Sequence, residues 1–427
     1  MLGSLANAWK VPELRQRLLF TALILALYRL GAFIPLPGID PTVLGGDGPG
    51  ANNAITGLFG AFTGGAFSNY AIFSLGIMPY ITAAIVMQLM TVAIPRLQEL
   101  SKEGEAGQQK ITQYTRYFTL ALALIQSTAM VFYFRAPVGG GALAGASILQ
   151  IVVVIFTLTT GVMLTMWMGE LISQRGLGNG ISLIITASIL SQAPFAIRSL
   201  IDNGSILVMV VLALLAVLII AAIVFVNEGQ RRIPITYAKR QVGRRMSQGG
   251  TTYLPLKVNM AGVIPIIFAS SLLLFPVVLA QFAGQGNPDS FLSRLADFFD
   301  PSSAPYLLLY ALLIIMFTYF YTAVQFNPVE HADNLKKSGG YVPGIRPGQQ
   351  TALYLNNVLT RITLFGAVFL ALVAVLPYLI SPLLGLGDQI LLGGTSMLIV
   401  VGVSLDTVRQ LESQLMMRNY EGFLKKR

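Results

Sequence analysis

The sequence contains no cysteine, which excludes disulfides, thiolate nucleophiles and cysteine-ligated metals. Its single histidine, His331, leaves no material for a histidine-based catalytic or metal centre. Charge is scarce as well: Asp, Glu, Lys and Arg make up 11% of the 427 residues, against about 25% in soluble domains. Hydrophobic residues make up 55%, and the mean hydropathy is +0.70. A soluble chain this apolar could not cover its surface with polar groups. The sequence therefore reads as a multi-span membrane protein. In such a protein the placement of the +10 net charge matters more than its size.

A helix needs about 20 mostly apolar residues to cross the hydrocarbon core. Ten runs qualify as candidates: Leu18–Ile34, Phe73–Ile94, Tyr117–Phe134, Ile148–Met168, Ile181–Ile197, Ile206–Val226, Met260–Phe282, Tyr306–Val324, Ile362–Ile380 and a short one, Leu391–Leu405. No Asp, Glu or Lys falls inside them; Arg29 is the one ionisable residue, near enough to an end to snorkel. Ten spans put both termini on one side, and 24 of the 28 Lys and Arg then share that side. The positive-inside rule makes it cytoplasmic. The first apolar run lacks a small-residue cleavage site after it and reads as a retained span.

The segment Asn53–Tyr70 is centred on Ile55-Thr56-Gly57-Leu58-Phe59-Gly60-Ala61-Phe62-Thr63-Gly64-Gly65. It is apolar enough to enter the membrane but too short and glycine-rich to span it. Two readings stand: an ordinary re-entrant or interfacial loop, or a movable element seated in a cavity. Two further patterns recur five spans apart. Gly76-Ile77-Met78-Pro79 matches Gly262-Val263-Ile264-Pro265, and Gly180-Ile181-Ser182 matches Gly394-Thr395-Ser396. An odd offset reverses direction, so the expectation is an all-α membrane protein. Its two inverted five-helix halves, residues 1–202 and 203–427, enclose a functional site at their junction.

Apart from Arg29, the spans lack the acidic, histidine and arginine residues that ion-coupled transporters carry. This argues against the alternative of a ten-span secondary transporter. An intramembrane hydrolase fails because His331 lies in a cytoplasmic loop. Gly176-Leu177-Gly178-Asn179-Gly180 has neither a preceding strand nor a Walker-type lysine, so nucleotide binding is discarded. The scattered Gln88 and Asn259 fit helix–helix hydrogen bonding. Two cytoplasmic loops, 227–258 and 326–361, are strongly basic. They carry Arg231, Arg232, Lys239, Arg240, Arg244 and Arg245 in one, and Lys336, Lys337 and Arg346 in the other. Orientation needs only a few charges; the surplus suits an anionic partner such as RNA, acidic protein or lipid headgroups.

Four stretches carry a resemblance: Leu254–Pro265, Arg175–Ser182, Tyr237–Arg240 with Gly243–Arg245, and Ala332–Lys337 with Pro343–Gly348. Through them the chain resembles the SecY family, the channel subunits of the bacterial protein-export translocon, from about Pro12 to the tail. Asn227 and Glu228 depart from the Glu-Arg the family commonly has there. The resemblance implies a passive hourglass pore with an isoleucine waist of Ile77, Ile81, Ile181, Ile185, Ile267 and Ile399. It makes the segment with Ile55, Gly57, Leu58, Phe59, Phe62, Gly64 and Gly65 a plug. The second and seventh spans, with Pro79, Gln88, Asn259 and Pro265, become a lateral gate on which Gln88 and Asn259 face each other. The basic residues become the docking surface for the ribosome and the SecA motor. Small SecE- and SecG-type subunits, signal sequences, preproteins and the phospholipid bilayer are the implied partners. No cofactor, metal or enzymatic activity is implied, and the expected location is the bacterial cytoplasmic membrane.

Overall fold

The computed structural model describes residues 9, 11–39, 60, 62–135, 143, 145–203, 206–237, 241–242, 245–246, 250–283, 298–299, 303–383 and 394–424. Along the chain run α1 (Pro12–Gly31), α2 (Met78–Ala93), α3 (Pro95–Lys102), α4 (Glu105–Arg135), α5 (Ile148–Arg175), α6 (Gly180–Asn203) and α7 (Ile206–Glu228). There follow β1 (Gln230–Tyr237), β2 (Gln241–Val242), β3 (Arg245–Met246), β4 (Thr251–Lys257), α8 (Ile264–Ala283), α9 (Ala304–Gln325), α10 (Pro328–Lys337), β5 (Gly340–Tyr341), α11 (Gln349–Leu383) and α12 (Gly394–Leu424).

Helix starts follow local chemistry. A capping box opens α5, with Ser147 and Gln150 exchanging backbone–side-chain bonds. Proline occupies the first turn of α1, α2, α3, α9 and α10, where its missing N–H has no partner to lose. Pro95 also ends α2: the chain turns by 99° into the amphipathic α3.

Each of the ten apolar runs supplies the body of one helix, although the second and seventh begin as turns. Among the described residues, α4, α5, α7, α9 and α11 are long and apolar enough to cross a membrane, and α2 with α3 makes a sixth if the bent pair is one span. Shorter apolar stretches, Gly180–Phe195 and Ile264–Leu273, lie in α6 and α8. In the first group of helices, α2 packs on α4, α4 on α5, α5 on α6, and α1 on both α5 and α6. In the second, α8 packs on α9, α9 on α11, and α12 on α7 and α11. The two groups meet chiefly through α2 against α8 and α6 against α12, and one apolar core runs through both.

The expectation of an all-α chain needs correction at the basic loops. β1 pairs antiparallel with β4 from Gln230↔Lys257 to Thr236↔Thr251, and β5 adds to its other edge in the order β4-β1-β5. Alternation explains it: Ile233 and Ile235 are buried while Arg232 and Pro234 are exposed. The sheet sits on a second core of Ile233, Leu256, Phe326, Val342, Leu355 and Leu359. His331 is likewise on a helix, α10, rather than in a loop, with its ring stacked on Phe326 at 4.2 Å.

Candidate functional site

The contact between the two helix groups is built twice over with the same local devices. Gly76 (φ 55°) and Gly262 (φ 64°) each take the left-handed conformation two residues before a helix, and Pro79 and Pro265 fill the second helical position. Gly180 and Gly394 each open a helix pressed on the one before it. A β-carbon at Gly180 would stand 2.0 Å from the Gly169 carbonyl oxygen, and one at Gly394 1.9 Å from that of Val373. These glycines let α6 close on α5 and α12 on α11.

The isoleucines expected at the waist all lie in or against the apolar core shared by the two helix groups. Ile77, Ile81, Ile185, Ile267 and Ile399 are buried in the main apolar core, and Ile181 packs half-buried against it. These β-branched side chains carry no group that could hold an ion. Across the α2–α8 seam, the buried Ser271 hydroxyl donates to the Met78 sulfur at 3.6 Å.

The remaining gate residues divide. Pro79 and Pro265 are buried in the seam, but Gln88 and Asn259 are not partners. Gln88 is half-buried on α2. Asn259 is buried, and its amide donates to Asn227 Oδ1 at 2.9 Å and to the Gly262 carbonyl at 3.1 Å. Asn227 lies at the end of α7.

Of the expected plug residues, Ile55, Gly57, Leu58 and Phe59 lie outside the described residues. Phe62 packs half-buried against the main core. Gly64 (φ 65°) and Gly65 (φ 84°) form a tight turn lying on α6. Phe67, just beyond, is 2% exposed and packs its ring against Tyr133 and Phe134 of α4 at 5.9 and 5.7 Å. The Arg29 Nη1 donates to the Gly64 carbonyl, and its guanidinium lies 4.7 Å from the Phe33 ring centroid.

On the basic end, Arg231, Arg232, Lys336, Lys337 and Arg346 are all exposed. Arg346 rides on a turn in which Gly344 and Gly348 have φ of 82° and 101° and the Ile345 N–H donates to the Val342 carbonyl at 3.1 Å. Lys239, Arg240 and Arg244 and the Arg245 side chain lie outside the described residues. Nearby is an arrangement that no residue pattern pointed to. Arg409 of α12 donates through Nη2 to the Asn227 carbonyl at 2.9 Å and to Glu228 Oε1 at 2.8 Å.

A family model for SecY matches residues 71–408. The chain belongs to the SecY family. It is 47% identical over 447 residues to the protein translocase subunit SecY of Mycobacterium tuberculosis, covering 100% of both chains. The SecY of Streptomyces coelicolor is 46% identical over 440 residues, again with 100% of each chain covered. Among solved structures, one reported as that of a protein conducting channel superposes with a TM-score of 0.62 at 18% identity, covering 95% of this chain and 96% of the other. Canine Sec61 from a ribosome–channel complex gives 0.57 at 18% identity, covering 96% of each chain. At that identity the structures speak for the fold, and the SecY relatives carry the function. As a SecY, the chain is a subunit of a protein-conducting translocation channel in a membrane, a family of channels rather than of enzymes.

Proposed function

We propose that the chain forms the pore itself: ten spans in two inverted five-helix halves, with the isoleucine collar as its waist and the segment around Gly64 as its plug. Unfolded secretory proteins pass through the collar. Membrane-protein helices leave sideways where α2 parts from α8. One observation carries this reading: isoleucines from α2, α6, α8 and α12 share a single apolar core where the two helix groups meet. The matching glycine and proline devices on α2 and α8, and on α6 and α12, support the inverted repeat.

Such a pore is passive. Its driving force comes from a docked SecA motor or ribosome, and the exposed Arg231, Arg232, Lys336, Lys337 and Arg346 offer an anionic partner a broad cationic face. The likeness to a channel that was solved with a ribosome supports the ribosomal half of this assignment. SecE- and SecG-type subunits complete the complex around the exposed apolar helices. The basic end faces the cytoplasm of a bacterial cell, with both termini on that side of the cytoplasmic membrane.

The test is translocation in proteoliposomes holding the purified chain with its small subunits. A preprotein with a signal sequence becomes protease-protected only when the motor and ATP are supplied. Accumulation of a small solute down an ion gradient, with no preprotein import, would replace this reading with a secondary transporter.

A further inference from the structure

A cation within an apolar span is expensive and calls for a partner. Arg29 has one that the sequence does not announce. Its guanidinium reaches from α1 to the Gly64 carbonyl, with the Phe33 ring beneath it. The seat around that carbonyl is closely built. A β-carbon at Gly64 would stand 2.8 Å from Ser191 Oγ, 3.0 Å from the Ser188 Cα and 3.1 Å from Arg29 Nη1. The neighbouring Tyr28 and Ser188 hydroxyls, 2.9 Å apart, tie α1 to α6 at the same level.

The side-chain contacts that α6 makes to this turn are long. Gln192 Nε2 stands 3.5 Å from the Gly60 carbonyl, and Ser191 Oγ stands 3.5 Å from that of Gly64. The Ser191 proton is committed to the Ser188 carbonyl at 2.6 Å. Among the described residues, Arg29 is the charge-assisted donor on the turn. Downstream, Phe67 is fixed among Tyr133 and Phe134, while Gly64 and Gly65 both occupy the left-handed region. The turn thus has a fixed end, a hinge and a single strong fastening.

We propose that Arg29 is the latch of the resting channel: its hydrogen bond to Gly64 sets how readily the glycine turn leaves its seat on α6. The idea rests on the reading of this segment as the plug. Release of the latch requires the α1–α6 contact around Tyr28 and Ser188 to loosen. A chain inserting beside α6 would do that.

Because the protein has no cysteine, Phe62→Cys gives a single thiol whose labelling rate reports the position of the turn. In that background Arg29→Met keeps the length of the side chain but removes its donors. Labelling should quicken about tenfold, as loss of a charge-assisted hydrogen bond implies. The resting ion conductance of the purified complex in planar bilayers should rise with it. Gly64→Ala, which crowds the seat and displaces the carbonyl while the arginine keeps its donors, should do the same, and Arg29→Lys should fall between wild type and Met. Wild-type labelling and conductance in an inserted Arg29→Met protein would overturn the latch. If Arg29→Met fails to accumulate, Gly64→Ala decides by the same two readings; if neither accumulates, Arg29 is a folding residue and the latch is wrong. A variant lacking residues 60–65 separates the two ideas. Conduction by it alongside a silent Arg29→Met refutes only the latch, whereas a deletion that never conducts refutes the pore reading.

Discussion

The Asn259 side chain holds the turn before α8 to the end of α7, donating to Asn227 Oδ1 at 2.9 Å while Arg409 takes the Asn227 carbonyl from the other side at 2.9 Å. The turn that leads into α8 is therefore fastened to α7, and α7 in turn to Arg409 of α12. Asn259→Leu removes two hydrogen bonds and leaves two half-buried acceptors short of a partner, which costs about 1–3 kcal/mol. Export should then tolerate less hydrophobic signal sequences, scored with a graded signal-sequence series. Gln88→Leu, at a half-buried site with no bond to Asn259, should move the threshold little. Equal effects from the two variants would mean that this fastening does not control the gate.

Ile81 and Ile185 are 3% and 1% exposed. Replacing both with serine removes β-branched volume and brings two hydroxyls to the waist, so water and then ions should enter. Planar-bilayer recordings should show resting conductance that wild type lacks. Each truncation also costs about 2–5 kcal/mol of packing, so the thermal midpoint should fall. A lower midpoint without a leak would place the isoleucines in the core but not in the seal.

The glycines at the starts of α6 and α12 admit no side chain. Gly394→Ala puts a methyl group 1.9 Å from the Val373 carbonyl oxygen, and Gly180→Ala puts one 2.0 Å from that of Gly169. Either helix must back away, at a cost of about 1–3 kcal/mol for overpacking. Monodisperse yield in detergent should drop for both, whereas Gly250→Ala, with open space around it, should behave as wild type.

How far this could be read from residues alone depended on periodicity and range. Most apolar runs are long and uninterrupted, so the helices they build were visible while the short, charged α3 and α10 were not, and 3.6-residue geometry needed no partner to declare itself. The glycine and proline patterns marked the turns before α2 and α8 and the tight starts of α6 and α12, because steric demands at a glycine are local. Pairings between distant side chains were not visible. Nothing in the sequence says that Arg29 meets Gly64 rather than the membrane surface, or that Asn259 prefers Asn227 to Gln88. The sheet was missed for a related reason. Pro234 and Pro255 interrupt β1 and β4, and abundant charge masked the alternation of Ile233 and Ile235.

Arg346 offers the sharpest test of the docking face. Its side chain is exposed, yet its backbone is tightly held: Thr351 Oγ1 donates to the Arg346 carbonyl at 2.9 Å, and the flanking Gly344 and Gly348 are fixed in left-handed turns. A rigid turn that presents a free guanidinium is suited to grip a carboxylate or phosphate through two parallel bonds. Topology does not require it, since Lys336, Lys337 and Arg361 mark the same end of the chain. Arg346→Glu touches no buried group, so its stability should stay within about 0.5 kcal/mol of wild type. Membrane insertion and assembly with the small subunits should be normal. Motor binding should weaken by about tenfold or more, equivalent to roughly 1.4 kcal/mol, and preprotein import should fall with it. Arg346→Lys keeps the charge but loses the fork, and should recover only part. Purified mutant channels decide the matter: normal import by the Glu variant, or its failure to insert, would each remove Arg346 from the docking surface.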